Sequence, residues 1–254
     1  MKAMHKIVIK IGTSTLTQGT KQLSRRFILK LVEQIAHLHA QGLKIILVSS
    51  GAMGAGRDVL HSDNTHPFIP QILASVGQIK LMQTWTDLFA LFELQVGQML
   101  LTKEDFADPK HLLTKNTFAC FLQHRMIPIV NENDAVAAKG FCIGNNDHLA
   151  ALVAKIAAAD TIILLTDQEG LYTADPRLDP SAQLISHVQQ IDETIYALAK
   201  GSSSSLGTGG MITKIEAAHM ALQSGIQTII ASSSRPDVLL DLAEGKRLGT
   251  LFLD

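Results

Sequence analysis

Two short β-branched runs, Lys6-Ile-Val-Ile-Lys-Ile11 and Leu43-Lys-Ile-Ile-Leu-Val-Ser49, flank a single amphipathic segment, and this arrangement constrains the fold more than any other feature. Phe27, Leu31, Ile35 and Leu38 recur three or four residues apart between Ser24 and Ala40. Ser24 stands where an N-cap belongs and Gly42 where the helix should stop. Two buried strands joined by a helix of this length take a right-handed crossover and therefore run parallel. The rest of the chain repeats the theme. Leu94–Leu101, Ile127–Val130, Thr161–Leu165, Thr228–Ala231 and Leu248–Leu253 read as strands; Pro67–Phe92, Pro109–Arg125, Leu149–Ala159 and Ile215–Ser224 read as helices. Trp85, Phe89 and Phe92 are expected in the core, as aromatic stripes usually are.

The composition fits a globular α/β protein: of 254 residues, 46% are hydrophobic and 18% charged, enough apolar side chain for a large core. No linker or internal repeat marks a boundary, so 1–254 is read as one domain. A formal net charge of -1 argues against binding nucleic acid by bulk charge. No apolar run approaches the ~18 residues of a membrane span, and no signal-peptide core is seen. Cys120 and Cys142 sit among apolar neighbours and are expected to be reduced and buried, which suits the cytoplasm. Histidines without H-E-x-x-H spacing, and no paired cysteines, leave a zinc site unsupported.

Polar residues gather where the strands end, the side on which open parallel sheets bind ligands. Lys10 is either an edge-strand lysine or a cation delivered to a site at the strand's end, since an unpaired lysine inside a buried strand is costly. Gly51-Ala-Met-Gly-Ala-Gly56 follows the second strand, in G-x-x-G-x-G order and not the dinucleotide order. Asn131-Glu-Asn-Asp134 follows the fourth strand, as a turn or as a binding cluster. Asn146 and Asp147 open a helix, either capping it or touching a ligand. Leu206-Gly-Thr-Gly-Gly-Met-Ile-Thr-Lys214 is a glycine turn or a phosphate cradle; glycine lets backbone N–H groups approach an anion, the following helix offers its positive end, and Lys214 adds a charge. It is not a Walker loop, whose lysine follows a glycine.

Taken together, Val8-Ile-Lys-Ile-Gly-Thr-Ser14, Val48-Ser-Ser-Gly-Ala52, Val96-Gly-Gln-Met-Leu-Leu-Thr102, Ile129-Val-Asn-Glu-Asn-Asp-Ala-Val136, Gly144-Asn-Asn-Asp147, the segment from Leu165-Thr-Asp167 to Asp175-Pro176, and the glycine stretch resemble the glutamate 5-kinases, a branch of the amino acid kinase family. The resemblance covers essentially the whole chain. It implies a three-layer α/β/α sandwich around a mainly parallel sheet, with a glutamate-binding N-terminal lobe and a nucleotide-binding lobe from about residue 155. It also implies transfer of a phosphoryl group from MgATP to the side-chain carboxylate of L-glutamate, the first step of proline biosynthesis. By the same resemblance Lys10 and Lys214 flank the phosphoryl group and Asp147 orients both. Ser50, Gly51, Asp134 and Asn146 hold glutamate, with Asp134 facing the α-ammonium. Lys10, Thr166, Asp167 and the stretch Thr208, Gly209, Gly210, Met211, Ile212, Thr213 and Lys214 contact ATP. Mg²⁺ is expected through the ATP phosphates, with no residue assigned to it.

Proline as feedback inhibitor, a homo-oligomer and hand-off to glutamate-5-semialdehyde dehydrogenase are further family expectations. The C-terminal domain of the pseudouridine-synthase and archaeosine-transglycosylase type that many bacterial members carry is expected to be absent. Asn145 stands where the family often has aspartate. The chemistry suits the residues: a γ-carboxylate of pKa near ~4.3 is already ionised and needs no general base, so cations are required and a catalytic histidine is not. The alternatives are a non-catalytic amino-acid sensor on the same fold, a sister kinase for another acid such as N-acetylglutamate, and an oxidoreductase built on Gly51–Gly56. Ser202–Gly210 is expected to be poorly ordered without nucleotide.

Overall fold

The computed structural model describes residues 1–60, 67–136, 142–200 and 210–253. In chain order these form β1 (Lys6–Ile11), α1 (Thr13–Thr17), α2 (Arg25–Ala40), β2 (Lys44–Ser49), α3 (Ala52–Arg57), α4 (Ile69–Ala90) and β3 (Val96–Leu101). A 3-10 turn, Lys103–Phe106, leads to α5 (Lys110–Gln123), β4 (Ile127–Glu132), α6 (Asn146–Ile156) and β5 (Thr161–Thr166). The chain ends with β6 (His187–Val188), α7 (Glu193–Lys200), α8 (Met211–Leu222), β7 (Gln227–Ser232), α9 (Val238–Ala243) and β8 (Thr250–Phe252).

The strands make one eight-stranded sheet in the order β3-β4-β2-β1-β5-β7-β8-β6. Every neighbouring pair is parallel except β7 with β8. The expected β1-α2-β2 unit is present, with Lys10 in register with Val48 on one side and Leu164 on the other. Ser24 caps α2 by accepting from the Phe27 N–H at 3.3 Å, and Gly42 takes the left-handed conformation that ends it.

Strand pleating sorts the core into two faces. Ile7, Ile9 and Ile11 pack with α2, α4 and α9 through Leu31, Ile35, Trp85, Phe89 and Leu239. Val8, Ile46, Val48 and Val130 pack on the other face against α5, α6 and α8 through Phe118, Leu149, Val153 and Ile215. Lys10 alternates with Ile9 and Ile11, so its side chain leaves the sheet on the side of α6 and α8. The layers on both faces are those of a three-layer α/β/α sandwich.

Some sequence expectations need correction. Both cysteines are exposed rather than buried. On α5, Phe118 and Leu122 are four residues apart and point inward, which turns Cys120 between them toward solvent. Phe92 lies beyond the end of α4 and is 36% exposed, while Trp85 and Phe89 are fully buried. Helix α8 begins four residues before the expected Ile215, so Met211 to Lys214 form its first turn. The short elements α1, α3, α7, α9 and β6 were not anticipated.

Candidate active site

The carboxyl ends of β1, β2, β4, β5 and β7 lie along one edge of the sheet, and helices α6 and α8 point their N-termini at that edge. The Ser50 N–H donates to the Ile11 carbonyl at 3.0 Å, and the Ser233 N–H to the Thr166 carbonyl at 2.8 Å, which ties the strand ends together. Lys10 emerges from β1 and Asp147 from the first turn of α6. Lys10 Nζ stands 2.7 Å from Asp147 Oδ1, and Lys214 Nζ stands 3.4 Å from Oδ2. Thr213, one residue before Lys214, donates from Oγ1 to the same Oδ2 at 2.7 Å.

All three charged groups are buried: Lys10 is 6% exposed, Lys214 5% and Asp147 not at all. Burial pushes the Asp147 carboxyl up, but the two ammonium groups outweigh it and hold the pKa down at about 2. Burial draws Lys214 downward, as does the charge of Lys10, while Asp147 and Asp167 oppose the change. Two cations thus share the buried carboxylate of Asp147 in a low-dielectric cleft. Such a site is completed by an anion. The N-terminus of α8 adds to the attraction: its N-cap is Gly210, which has no side chain to cap it, and a helix N-terminus favours an anion.

A second network lies beside the first. Asn146, next to Asp147 on α6, donates from Nδ2 to Ser50 Oγ at 2.7 Å and to Asn131 Oδ1 at 2.9 Å. Asn131 Nδ2 donates to Gln78 Oε1 at 3.0 Å. Asn131 and Glu132 close β4 as buried strand residues, so part of the expected polar turn belongs to the sheet. Asp134 follows them on the rim. Burial raises its pKa to about 6, with the Glu132 charge adding to the effect.

The N-cap of α6 is Asn145, not Asn146 or Asp147: its side chain accepts from the Asp147 and His148 N–H groups at 3.0 and 2.9 Å. Asn145 thereby fixes the turn that carries both residues to the cleft. An asparagine serves this purpose as well as the aspartate often found in the family.

Gly51 is the N-cap of α3 at φ 106°, a left-handed conformation suited to glycine. Gly56 of the same cluster serves helix packing: a Cβ there would lie 2.0 Å from the Leu73 carbonyl oxygen of α4. Thr166 ends β5 and donates from Oγ1 to Asp167 Oδ1 at 3.0 Å. Met211 is buried in the core and Ile212 packs against it, both in the first turn of α8. Thr208 and Gly209 lie outside the described residues, as does Ser202–Gly209 of the segment expected to be poorly ordered without nucleotide. Sequence reasoning missed Gln78, gave Asn131 no role of its own within the polar cluster, and placed Thr213 on ATP without foreseeing its bond to Asp147. Asn131 and Thr213 lie within the quoted motifs, whereas Gln78 carries no local signal and is revealed only by packing. Among the described residues, no group of three or more His, Cys, Asp or Glu side chains is placed to hold a metal ion.

The amino acid kinase family model matches residues 5–232. The glutamate 5-kinase of Pasteurella multocida is 48% identical over 255 residues, covering 99% of this chain and 70% of the relative. That of Photobacterium profundum is 50% identical over 254 residues, covering 97% of this chain and 66% of the relative. Two more distant structures share the fold. Isopentenyl phosphate kinase superposes with a TM-score of 0.71 at 18% identity, over 98% of this chain and 100% of its own. The UMP kinase of Bacillus anthracis gives 0.69 at 14% identity, over 100% and 97%. With its lysine pair on one buried aspartate and near-half identity to these relatives along almost its whole length, the chain belongs to the amino acid kinase family, in the glutamate 5-kinase branch.

Proposed function

We propose that the protein transfers the γ-phosphoryl group of ATP to the side-chain carboxylate of L-glutamate, giving L-glutamyl 5-phosphate and ADP in the first step of proline biosynthesis. The observation that carries this reading is the pairing of Lys10 and Lys214 on Asp147 at the sheet's carboxyl edge. A glutamate carboxylate oxygen attacks the γ-phosphorus, the bond to the β,γ-bridging oxygen breaks, and that oxygen leaves with ADP. No proton has to move, because both the attacking and the leaving oxygen are anionic. The barrier is the approach of an anion to a polyanion in a loose transition state, and fixed cations lower it.

Lys10 and Lys214 supply those cations. Asp147 holds them apart and oriented before substrate arrives, so little reorganisation is needed during reaction. The N-terminus of α8 would receive ATP phosphates, with Thr166, Asp167 and Thr208–Lys214 around the nucleotide. Mg²⁺ bound through the phosphates would neutralise further charge. Ser50, Gly51, Asp134 and Asn146 hold glutamate. The glutamate lobe thus comprises the strands before about residue 155 and the nucleotide lobe those after it, with Lys10 and Asp147 at the seam. A carboxylate at position 134 suits a free ammonium and gains little from an acetylated nitrogen, which favours glutamate over N-acetylglutamate. Keeping both lysines and their aspartate favours a kinase over a sensor.

Proline, sharing the α-amino acid head group, would compete in the glutamate pocket. The acyl phosphate product is short-lived in water, which suits hand-off to glutamate-5-semialdehyde dehydrogenase, and we place the reaction in the cytoplasm, with the chain in a homo-oligomer. No described helix is long and apolar enough to cross a membrane. The test is incubation with MgATP, glutamate and hydroxylamine. γ-Glutamyl hydroxamate should form with stoichiometric ADP, and N-acetylglutamate should give little; ATP consumption without hydroxamate would overturn the reading.

A further inference from the structure

The amide network beside the lysines has a direction that one backbone group sets. The Glu132 N–H donates to Asn131 Oδ1 at 2.9 Å. A backbone N–H can only donate, so this contact settles which end of the Asn131 amide is oxygen. The nitrogen end must then find an acceptor, and it finds Gln78 Oε1 at 3.0 Å. Asn131 Oδ1 also accepts from Asn146, so the Asn146 atom facing it is Nδ2. The second hydrogen of that nitrogen goes to Ser50 Oγ at 2.7 Å. Both Asn146 hydrogens are now used, and its carbonyl oxygen faces the other way. That Oδ1 is fully buried and has no hydrogen-bond partner among the described residues.

A buried acceptor left unmet calls for a donor from the ligand. At neutral pH the two carboxylates of glutamate only accept, and its α-ammonium carries all of its polar hydrogens. Gln78 lies on α4, 8% exposed, and lines one small recess with Glu132 and Asp134, the carboxylate suited to the same ammonium.

Resting on the glutamate reading, we propose that Gln78 is a positioning residue: through Asn131 it keeps the Asn146 carbonyl oxygen turned toward the substrate's α-ammonium, and so sets the preference for an acceptor with an unmodified amino group. Gln78 touches no reacting atom. Without its acceptor, the Asn131 amide is fixed by one partner fewer; when it turns over, Asn146 turns with it and presents a donor where the ammonium needs an acceptor.

The test compares glutamate with glutarate, the same dicarboxylate without the amino group, in the wild-type protein, Gln78→Met and Gln78→Glu. Met keeps the length of Gln and removes the acceptor, whereas Glu restores one. The expected result for Gln78→Met is a glutamate KM raised about tenfold, as loss of a hydrogen bond to a charged group produces. The loss should fall on KM rather than kcat, with the ATP KM and the competitive inhibition constant of glutarate unchanged, and Gln78→Glu should recover most of it. Gln78→Leu, a second apolar replacement of similar size that also removes the acceptor, should show the same selective loss and provides the second arm if Gln78→Met does not fold. An unchanged glutamate KM, an equal loss for glutarate, or no recovery in Gln78→Glu would overturn the inference. Absence of γ-glutamyl hydroxamate with the wild-type protein would instead overturn the glutamate reading beneath it.

Discussion

Asp134 joins substrate recognition to acidity. Its pKa of about 6 lies above the usual carboxylate value because burial, and then the charge of Glu132, disfavour ionisation. For folding, a raised carboxyl pKa is stability present below about pH 4 and lost as pH rises through about 6, so the empty site strains to hold this charge. An incoming ammonium relieves the strain by pairing with the ionised form. As pH falls through about 6 the unliganded carboxyl takes up a proton, and log(kcat/KM) for glutamate should fall toward a slope of one, while kcat at saturating glutamate changes less. Asp134→Asn should lower kcat/KM at neutral pH roughly 10- to 100-fold and abolish this inflection. An inflection that persists in the variant would assign it to another group. The neighbouring Asp147 is buried more completely yet shifts the opposite way, because two lysines face it where Asp134 faces another carboxylate.

The elements that carry these residues are set by close packing as much as by hydrogen bonds. Helices α3 and α4 approach until a Cβ on Gly77 would lie 1.8 Å from the Ala52 carbonyl oxygen and 2.3 Å from the Gly56 nitrogen. Ala52 follows the Ser50-Gly51 turn and Gln78 follows Gly77, so this contact places both walls of the glutamate pocket. Gly77→Ala should force the helices apart, lower stability by about 1–3 kcal/mol in urea unfolding, and raise the glutamate KM with little effect on the ATP KM. Wild-type stability and KM would show that the contact relaxes without cost. The long helices and central strands were legible in the sequence because their apolar periods are unambiguous, Ile7 to Ile11 and Leu31 to Leu38 above all. The start of α8 was not: glycines and the β-branched Ile212 and Thr213 resemble a loop until Met211 and Ile215 are seen buried together. The two-residue β6 and the short helices are too brief to show a period.

Across the whole molecule, Lys10 and Lys214 are far apart in sequence, and a sheet with right-handed crossovers brings them to one carboxylate. The motifs named the groups, but only the pleat of β1, which turns Lys10 toward α6 and α8, shows why they meet. Gln78 was beyond reach because its part depends on how α4 docks. A site that buries two lysines on one aspartate is held at some cost to the unliganded fold, as preorganised sites are. Replacing Lys214 with methionine should therefore leave the melting temperature without ligand unchanged or raised, because a desolvated cation is removed. The most direct measurement is kcat for γ-glutamyl hydroxamate formation by Lys214→Met beside the wild-type protein, with the melting temperature recorded for each. The expected result is a loss of at least about 10²-fold in a variant that remains folded; turnover within about threefold of wild type would contradict electrostatic catalysis by the lysine pair.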